Sequence, residues 1–426
     1  MVGRNAPLVS LFLLGALIGS EGAWIAIGKE RALAVQLMRA AQQARSHPQS
    51  MDQTAPSSEA FEALRRVGFE AFYNLDYEEA RRSFERLAAD FPEHPAGPLY
   101  LATHAWIDWL NRTRRLQAGI YINPAFYAQS EARVSEEEQQ RFRAYIEQAI
   151  ERAEARLRAN EDDVEARYFL GAAYALLAGY EATVLRKFFS ALRNGFRAVK
   201  EHREVLSRDP QFADAKLTVG LYEYIVGSLP LAVKILVALG GIRGSRERGI
   251  ELLEEAVRSG RYVADDARTL LIAVYYREGR FSDALRLLDE LIARYPRNYL
   301  FGLERANLLM RIGERAEAVR AFEELLAQPT YRETQDLIRY QYAEALFQSG
   351  YKQAALHHFR RVVAMDEAHA DLKTLAHLRI GQILDLRGER RAAQAQYRLV
   401  LQREDVLDAH EQARRYLRKP YSESSR

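Results

Sequence analysis

Small and apolar residues recur along the chain at fixed offsets, within segments whose hydrophobic positions follow a helical period. Gly68 is followed by Ala80, Phe84 and Pro92. Four later segments share this spacing and place a Gly seven residues after the first small or apolar residue, at Gly279, Gly313, Gly350 and Gly388. Apolar positions three to four residues apart predict amphipathic helices, and Gly predicts the turns between them. The pattern therefore predicts repeated pairs of helices that cross at a small residue.

These offsets resemble the tetratricopeptide repeat, a helical hairpin with a period of about 34 residues. The predicted crossing residues are Gly68, Ala102, Gly171, Gly220, Ile272, Ala306, Ala343 and Gly381. The resemblance implies an all-α fold, a tetratricopeptide-type α-solenoid in which about seven or eight helix pairs form a right-handed superhelix. We expect a C-terminal helix near residues 406–418 to close it.

Three intervals between crossing residues depart from the period. One of them, from Gly171 to Gly220, exceeds one repeat by less than half a repeat length. The interval from Ala102 to Gly171 is twice the repeat length and suits two units, of which the middle one is degenerate. The interval from Gly220 to Ile272 exceeds one repeat by half a repeat length. We interpret the excess as an extra helix inserted within one repeat, at the apolar run 229–242. This run is too short to span a membrane. It either packs within the array or contacts a membrane or a partner.

The basic, Gly-rich sequence after this run allows two interpretations. Glycine amides and Arg side chains at 241–249 could bind phosphate, whereas a plain turn would use Ser245 to cap the next helix. Residues 209–260 resemble a block found in exported bacterial tetratricopeptide proteins. They are distantly similar to the mitochondrial outer-membrane inclusion-body clearance family, which has a comparable Leu-Pro stretch and Gly-x-Arg-x-x-Gly turn. This resemblance implies a role at the bacterial envelope or an organelle outer membrane.

The ends of the chain differ in composition from its body. Residues 1–22 contain Arg4, an apolar stretch and then small residues, which predicts either a cleaved signal peptide or an uncleaved membrane anchor. We therefore expect an exported protein of the periplasm or cell envelope, with 23–58 as a partly helical tether. Tetratricopeptide-like repeats with inserted helices are predicted at 59–260, and regular repeats with a capping helix at 261–420. A disordered tail is predicted at 421–426.

Composition narrows the function classes. The chain has no Cys, which excludes disulfides and thiolate chemistry, and its 61 basic residues nearly balance 58 acidic ones. This balance does not favour nucleic acid as a partner. We find no motif for a nucleophile, a phosphate loop, a cofactor or a metal. We therefore predict a non-enzymatic scaffold in the cell envelope that binds proteins or peptides. The alternative is a peripheral membrane-associated factor that uses the N-terminal segment and the 229–242 helix. The oligomeric state stays open.

The family scheme assigns groove positions on the first helix of each hairpin. Carried over to this sequence, it gives nine candidate partner-binding residues: Phe69, Phe72, Trp106, Tyr168, Tyr224, Tyr276, Asn307, Tyr340 and Phe347. Aromatic side chains often anchor protein interfaces, but they also pack helix against helix. Of the polar residues with which the family clamps chaperone termini, only Asn307 is present at these positions. A chaperone clamp is therefore not expected.

The segment 103–131 is unusually rich in aromatic and Arg residues, and Asn123-Pro124 interrupts its helical pattern. It is either a ligand or partner site, or the packing that completes the degenerate repeat.

Overall fold

The computed structural model describes residues 59–116, 126, 134–231, 233–234, 238 and 241–423. Within these residues it contains 17 α-helices, one 3-10 helix and no strand, which confirms the predicted all-α class. The predicted signal or anchor and the tether lie outside the described residues. Contacts divide the chain into two compact units, residues 1–287 and 288–426.

The first unit is a series of hairpins in which each helix packs against the next. Its helices are α1 (Glu59–Tyr73), α2 (Tyr77–Asp90), α3 (Ala96–Arg112), α4 (Glu136–Ala159), α5 (Val164–Thr183), α6 (Phe188–Arg208), α7 (Ala215–Gly227), α8 (Arg246–Ser259) and α9 (Ala264–Arg277). Helix α10 (Phe281–Arg294) contains the boundary between the two units.

The second unit continues the same hairpin pattern. Its helices are α11 (Tyr299–Ile312), α12 (Arg315–Ala327), the 3-10 helix Pro329–Thr334, α13 (Gln335–Gln348), α14 (Lys352–Ala364), α15 (Ala370–Leu386), α16 (Arg390–Leu401) and α17 (Ala409–Arg418). Helix α17 packs against α16, as expected for a closing helix.

The predicted small residues lie where paired helices approach most closely. A Cβ added to Gly68 would lie 2.4 Å from the Phe84 ring, and one added to Gly381 would lie 2.4 Å from the Tyr397 ring. In each case the aromatic residue follows the Gly at the sequence offset that the repeat pattern predicts. The absence of a side chain therefore lets an aromatic residue of the second helix sit directly on the first.

The turns between paired helices use the predicted Gly residues. Gly279, Gly313, Gly350 and Gly388 all adopt positive φ, between 75° and 94°. This left-handed conformation is open to Gly but strained for residues that carry a Cβ. In the first hairpin the same position is Leu75, whose φ is 63°. A Leu thus occupies a backbone conformation that the other hairpins give to Gly.

The double-length interval before Gly171 contains a long helix. Helix α3 packs directly against α4, a helix of 24 residues, and α4 packs against α5. Among the described residues, α3 and α4 therefore pair as one hairpin, and the long α4 accounts for part of the spacing. Residues 117–125 and 127–133, on which the predicted middle repeat depends, lie outside the described residues. A capping box at Ser135 and Glu138 starts α4, because each side chain accepts a bond from the other residue's backbone.

The interval from Gly220 to Ile272 contains the predicted insertion. Helices α7 and α8 pack together as one hairpin, although the whole segment 228–245 lies between them in the chain. Residues 231, 233, 234 and 238 of this segment have helical backbone, whereas 228–230 and 241–245 do not. The rest of the predicted 229–242 helix lies largely outside the described residues.

The C-terminal residues fold back onto α15. The Asp385 carboxylate accepts hydrogen bonds from the Tyr397 hydroxyl and the Tyr421 backbone N–H, both at 2.8 Å, and pairs with Arg390 at 3.0 Å. Tyr421 is only 5% exposed. Ordered structure therefore extends into the segment predicted as a disordered tail, of which residues 424–426 lie outside the described residues.

Candidate functional site

The first helices of five successive hairpins surround a cavity of about 150 Å³ in the first unit. The cavity is lined by residues of α1, α3, α5, α7 and α9, together with a residue of α6 and the segment before α9. Its lining includes Phe69, Phe72, Tyr100, Trp106, Tyr168, Phe169, Leu217, Tyr262 and Leu270. We call this lining the inner face of the first unit.

Aromatic rings form a continuous part of the inner face. Phe69 meets Tyr100 edge-on with ring centroids 4.7 Å apart, and Tyr100 meets Phe169 at 6.4 Å. Tyr262 then contacts Phe169 at 5.4 Å and stacks on Tyr168 at 5.6 Å. Edge-to-face and stacked pairs fix the orientation of each ring. The wall is therefore held by ring contacts between elements that are distant in sequence.

The segment 260–266 joins this wall to the first hairpin. The Tyr73 hydroxyl donates a 2.6 Å hydrogen bond to Oδ1 of Asp266, and Arg261 pairs with Glu62 at 2.8 Å. The backbone N–H groups of Tyr262 and Val263 donate to Oδ1 of Asp214, at 2.6 and 3.0 Å. The start of α9 and the end of α1 are thus tied together beside the cavity that the inner face lines.

Burial sets the charges of the ionisable groups in the lining. It raises the pKa of Asp266 to about 7, with the neighbouring Asp265 carboxylate adding to the effect and the Tyr73 hydrogen bond opposing it. Burial also raises the pKa of Asp214, against the backbone hydrogen bonds that favour its ionised form. It lowers the pKa of His202 to about 4, so this imidazole is neutral at pH 7.

Two buried polar atoms of the lining residues have no hydrogen-bond partner among the described residues. One is the Tyr100 hydroxyl oxygen and the other is Nδ1 of His202. Nε2 of His202 lies 3.0 Å from the Tyr168 carbonyl oxygen, which can only accept. Nε2 therefore carries the proton, and Nδ1 of the neutral ring presents a free lone pair. Buried polar atoms left unpaired are uncommon and costly.

Four of the nine predicted groove residues meet at this cavity: Phe69, Phe72, Trp106 and Tyr168. Phe69 is partly exposed, whereas the other three are buried. The Trp106 indole N–H donates to the Thr183 hydroxyl at 3.1 Å, which fixes its ring against α5. The structure therefore brings these four residues together in the lining of one cavity.

The other five predicted groove residues lie elsewhere. Tyr224 is fully buried, and its hydroxyl donates to Glu278 at 2.8 Å, so it packs helix against helix. Tyr276 and Asn307 are partly exposed, on α9 and α11. Tyr340 is buried in the second unit and donates to Glu344 at 3.2 Å. Phe347 is also buried, with the Arg379 guanidinium 5.3 Å from its ring centroid.

The sequence analysis missed several lining residues. Tyr100, Phe169, Thr218 and Leu270 each precede a crossing residue by two positions, and all four line the cavity. This shared offset could have identified the four residues from the sequence. Tyr262 had no such signal, because it belongs to the connection before α9, whereas Asp266 lies in the first turn of α9. His202 packs on the crossing residue Gly171, whose added Cβ would lie 2.3 Å from its ring, but it stands farther along the chain than the repeat spacing allows.

The described aromatic residues of segment 103–131 pack inside the first unit. Trp109 is buried beneath the Arg115 guanidinium, 5.5 Å from its ring centroid. Phe126 is also buried, with Arg186 at 4.8 Å. Most of residues 117–133 lie outside the described residues. Where described, these rings and cations support the packing interpretation of the segment.

The Gly-x-Arg-x-x-Gly turn at 244–249 sets the close approach of α7 and α8. A Cβ on Gly249 would lie 2.5 Å from the Tyr224 backbone N, and one on Gly244 would lie 2.8 Å from the Glu223 carbonyl O. Arg246 pairs with Glu278 at 3.0 Å. The Ser245 hydroxyl accepts from the Arg248 N–H, which confirms its predicted capping role. These contacts favour a structural turn over a phosphate site.

In the described part of the chain, no helix combines the length and apolar character that a membrane crossing needs. In the same residues, no three His, Asp or Glu side chains are grouped so that they could hold a metal ion.

Two family models match the chain. The Iml2/Tetratricopeptide repeat protein 39 model matches residues 213–367, and a tetratricopeptide repeat model matches residues 62–94. The first match begins within the block that the sequence analysis compared with the outer-membrane inclusion-body clearance family, and it confirms that resemblance. The second coincides with the hairpin of α1 and α2.

A curated relative and several solved structures are similar to the chain. TPR repeat-containing protein YpiA of Bacillus subtilis is 24% identical over 210 residues, which cover 45% of this chain and 49% of YpiA. The chain thus spans about half the length of this relative. A tetratricopeptide repeat protein from Parabacteroides merdae is 14% identical with a TM-score of 0.32, over 76% of this chain and all of that one. Yeast Tom70 is 10% identical with a TM-score of 0.39, over 91% and 95% of the two chains.

Proposed function

We propose that this chain, as a tetratricopeptide repeat protein, is a non-enzymatic scaffold that holds a protein or peptide partner against the inner face of its first unit. Repeats of this type present a surface built from the first helices of successive hairpins. In the first unit those helices converge on one aromatic-walled cavity. This convergence is the observation that carries the proposal.

The exposure of the lining residues indicates how a partner would reach the cavity. Phe69, Thr103, Leu217, Thr218 and Tyr262 are only partly buried, whereas Phe72, Trp106 and Tyr168 are buried behind them. A partly exposed rim around a buried aromatic floor suits the insertion of one side chain, surrounded by weaker contacts. The partner is therefore expected to insert a single anchoring side chain rather than to lie along an extended groove.

A photo-crosslinking experiment tests this role. We would place p-benzoylphenylalanine at Leu217, on the rim, in the full chain expressed in its own cells. Leu399 is exposed on α16 of the second unit and provides the matched control position. We expect a defined protein adduct from position 217 and none of that mass from position 399. The same adducts at both positions, or none at 217, would refute partner binding at the inner face.

We also propose that the scaffold acts outside the cytoplasm, in the periplasm or cell envelope. The support is the N-terminal sequence, with Arg4, an apolar stretch and small residues ahead of the tether. A reporter enzyme that is active only after export, fused after residue 58, tests this location. Activity that depends on residues 1–22 supports export, and activity confined to the cytoplasm contradicts it.

A peripheral membrane role is a second candidate, and one observation favours it. Leu231, at the start of the inserted segment, is 74% exposed. An exposed Leu beside an apolar sequence is suited to an interfacial contact. Liposome flotation of a chain that begins at residue 29 separates this role from the first. Flotation that Leu231→Glu abolishes supports membrane contact, and a chain that stays at the bottom of the gradient excludes it.

A further inference from the structure

The cavity lining combines aromatic rings with acidic side chains. Phe69, Phe72, Tyr100, Trp106, Tyr168, Phe169 and Tyr262 contribute rings, and Asp214 and Asp266 contribute carboxyl groups. Among the described lining residues there is no Lys or Arg, and His202 is neutral at pH 7. Arg65 lies over the Tyr262 ring without lining the cavity, and it pairs with Glu62 at 2.9 Å. The charge of the lining itself is therefore negative or zero.

Aromatic walls attract cations because the faces of the rings carry negative potential. The effect strengthens when the cation leaves water for a site of low dielectric constant. An anionic guest would lose its hydration without gaining a positive partner in the lining. The electrostatics of the lining thus favour a cationic guest over a neutral one, and a neutral guest over an anionic one.

The unpaired polar atoms of the lining residues favour a cation that can donate hydrogen bonds. Nδ1 of His202 is a buried acceptor without a partner, and the buried Tyr100 hydroxyl also lacks one. An ammonium group has three N–H donors, so it can donate both to Nδ1 of His202 and to the Tyr100 hydroxyl oxygen, whereas a carboxylate could accept from that hydroxyl but would leave Nδ1 unpaired. The Asp266 carboxyl supplies the opposite charge at the same cavity.

Size limits the guest to a small group. A cavity of about 150 Å³ is comparable to one that holds benzene in another protein. A short alkyl stem that ends in an ammonium group is of this size. We propose that the cavity of the first unit binds an alkylammonium group, either as a free small amine or as the Lys side chain of a partner. The Lys case rests on the function proposed above.

A charge series on one carbon stem tests the inference. We would titrate the full chain at pH 8 with n-butylammonium, 1-butanol and butyrate, using isothermal calorimetry. Butylammonium is expected to bind on the order of tenfold more tightly than butanol, and butyrate more weakly than butanol. Equal binding of the three ligands, a preference for butyrate, or no binding of any ligand would overturn the proposal.

Two variants assign the preference to Asp266. Asp266→Asn keeps the size of the side chain but removes its charge, and it is expected to reduce the preference for butylammonium over butanol to the part that the aromatic walls provide. Glu304→Gln removes another buried carboxylate, in the second unit and outside the lining, and should keep the full preference. Melting curves show whether each variant is folded. Equal losses in both variants would contradict the assignment to Asp266, and the wild-type charge series stands even if Asp266→Asn fails to fold.

The pH dependence gives an independent check. The Tyr73 hydroxyl of α1 bonds to Asp266, and Asp265 adjoins it on the same helix. The other titratable groups that line the cavity are Tyr100, Tyr168, His202, Asp214 and Tyr262. Because its pKa is about 7, Asp266 loses its charge between pH 8 and pH 6, while an alkylammonium stays protonated. The preference for butylammonium over butanol should therefore fall over this range. A preference that does not change with pH would contradict the role of Asp266.

A final ligand pair distinguishes the two sources of the ammonium group. N-acetyl-lysine methylamide carries the group on a peptide backbone, and N-acetyl-norleucine methylamide lacks the charge. Preferential binding of the lysine compound supports insertion of a partner's Lys. Binding of butylammonium but not of the lysine compound supports a small-amine site and contradicts anchoring by a partner's Lys. The inferred ammonium site and the proposed partner binding can therefore be refuted independently.

Discussion

The Tyr73 hydroxyl donates a 2.6 Å hydrogen bond to Asp266, a residue nearly half the chain away in sequence. This bond joins the end of α1 to the start of α9 beside the cavity. Tyr73→Phe is expected to lower the free energy of unfolding by about 2 kcal/mol at pH 8, where Asp266 is ionised and a hydrogen bond to it is strongest. Urea titrations followed by circular dichroism measure this loss.

The same variant should cost less at pH 5, because Asp266 is then protonated in the folded chain. Arg261→Ala, which removes a more exposed ion pair with Glu62, serves as a control and should cost less than about 1 kcal/mol. Similar losses for the two variants at pH 8 would show that the Tyr73 bond contributes no more than a surface pair.

Gly249 is predicted to tolerate no side chain. Its Cβ would lie 2.5 Å from the Tyr224 backbone N and 2.7 Å from the Gly220 carbonyl O, so α7 and α8 would have to separate. We expect Gly249→Ala to lower the free energy of unfolding by about 3 kcal/mol. Gly195→Ala is the matched control, because no atom lies within 4 Å of its added Cβ. In helix α6 this change should raise stability by about 0.5 kcal/mol. A neutral Gly249→Ala would rule out the close approach of the two helices.

Leu75 occupies the turn position that Gly fills in four other hairpins, with a φ of 63°. Leu75→Gly relieves a left-handed strain of about 1–2 kcal/mol, part of which is offset by lost side-chain burial and backbone entropy. We expect a higher midpoint of urea unfolding.

The reverse change is available at Gly350, whose φ is 87° and whose added Cβ would meet no atom within 4 Å. Gly350→Leu should therefore destabilise through the backbone alone, by about 1–2 kcal/mol. Destabilisation by both changes would mean that the side-chain contacts of Leu75 outweigh its backbone strain.

Glu304 should make the stability of the second unit depend on pH. Burial raises its pKa from 4.5 to about 8. Because the folded pKa exceeds the unfolded one, the folded chain holds the proton more tightly, and stability falls as pH rises from about 4.5 to about 8. The fall amounts to at most about 5 kcal/mol.

Glu304→Gln is expected to remove this slope, since Gln does not titrate. Unfolding midpoints of both chains at pH 5, 6, 7 and 8 provide the measurement. Curves that remain parallel over this range would show that Glu304 keeps its usual pKa in the folded chain.

The sequence by itself determined the hairpins of this protein, because their causes are local. The spacing from Gly68 to Phe84 equals that from Gly381 to Tyr397, because in both hairpins one helix crosses the next at the same point. A Gly seven residues after the crossing follows from a turn that requires positive φ. Caps such as Ser245 likewise depend on residues within one turn of helix. Patterns of this range can be recognised in a single sequence.

Only the tertiary structure determined that the inner face lines a cavity. Four residues that the groove scheme selects, Phe69, Phe72, Trp106 and Tyr168, line one cavity, which the scheme did not indicate. The cavity depends on contacts such as Tyr73 with Asp266, between residues that share no repeat position. The charge of that carboxyl likewise depends on burial by distant elements. The physical reason is the distance in sequence over which the interactions act. Helices and turns form through interactions within a few residues, whereas the cavity and the desolvation of its carboxyl group require the assembled unit.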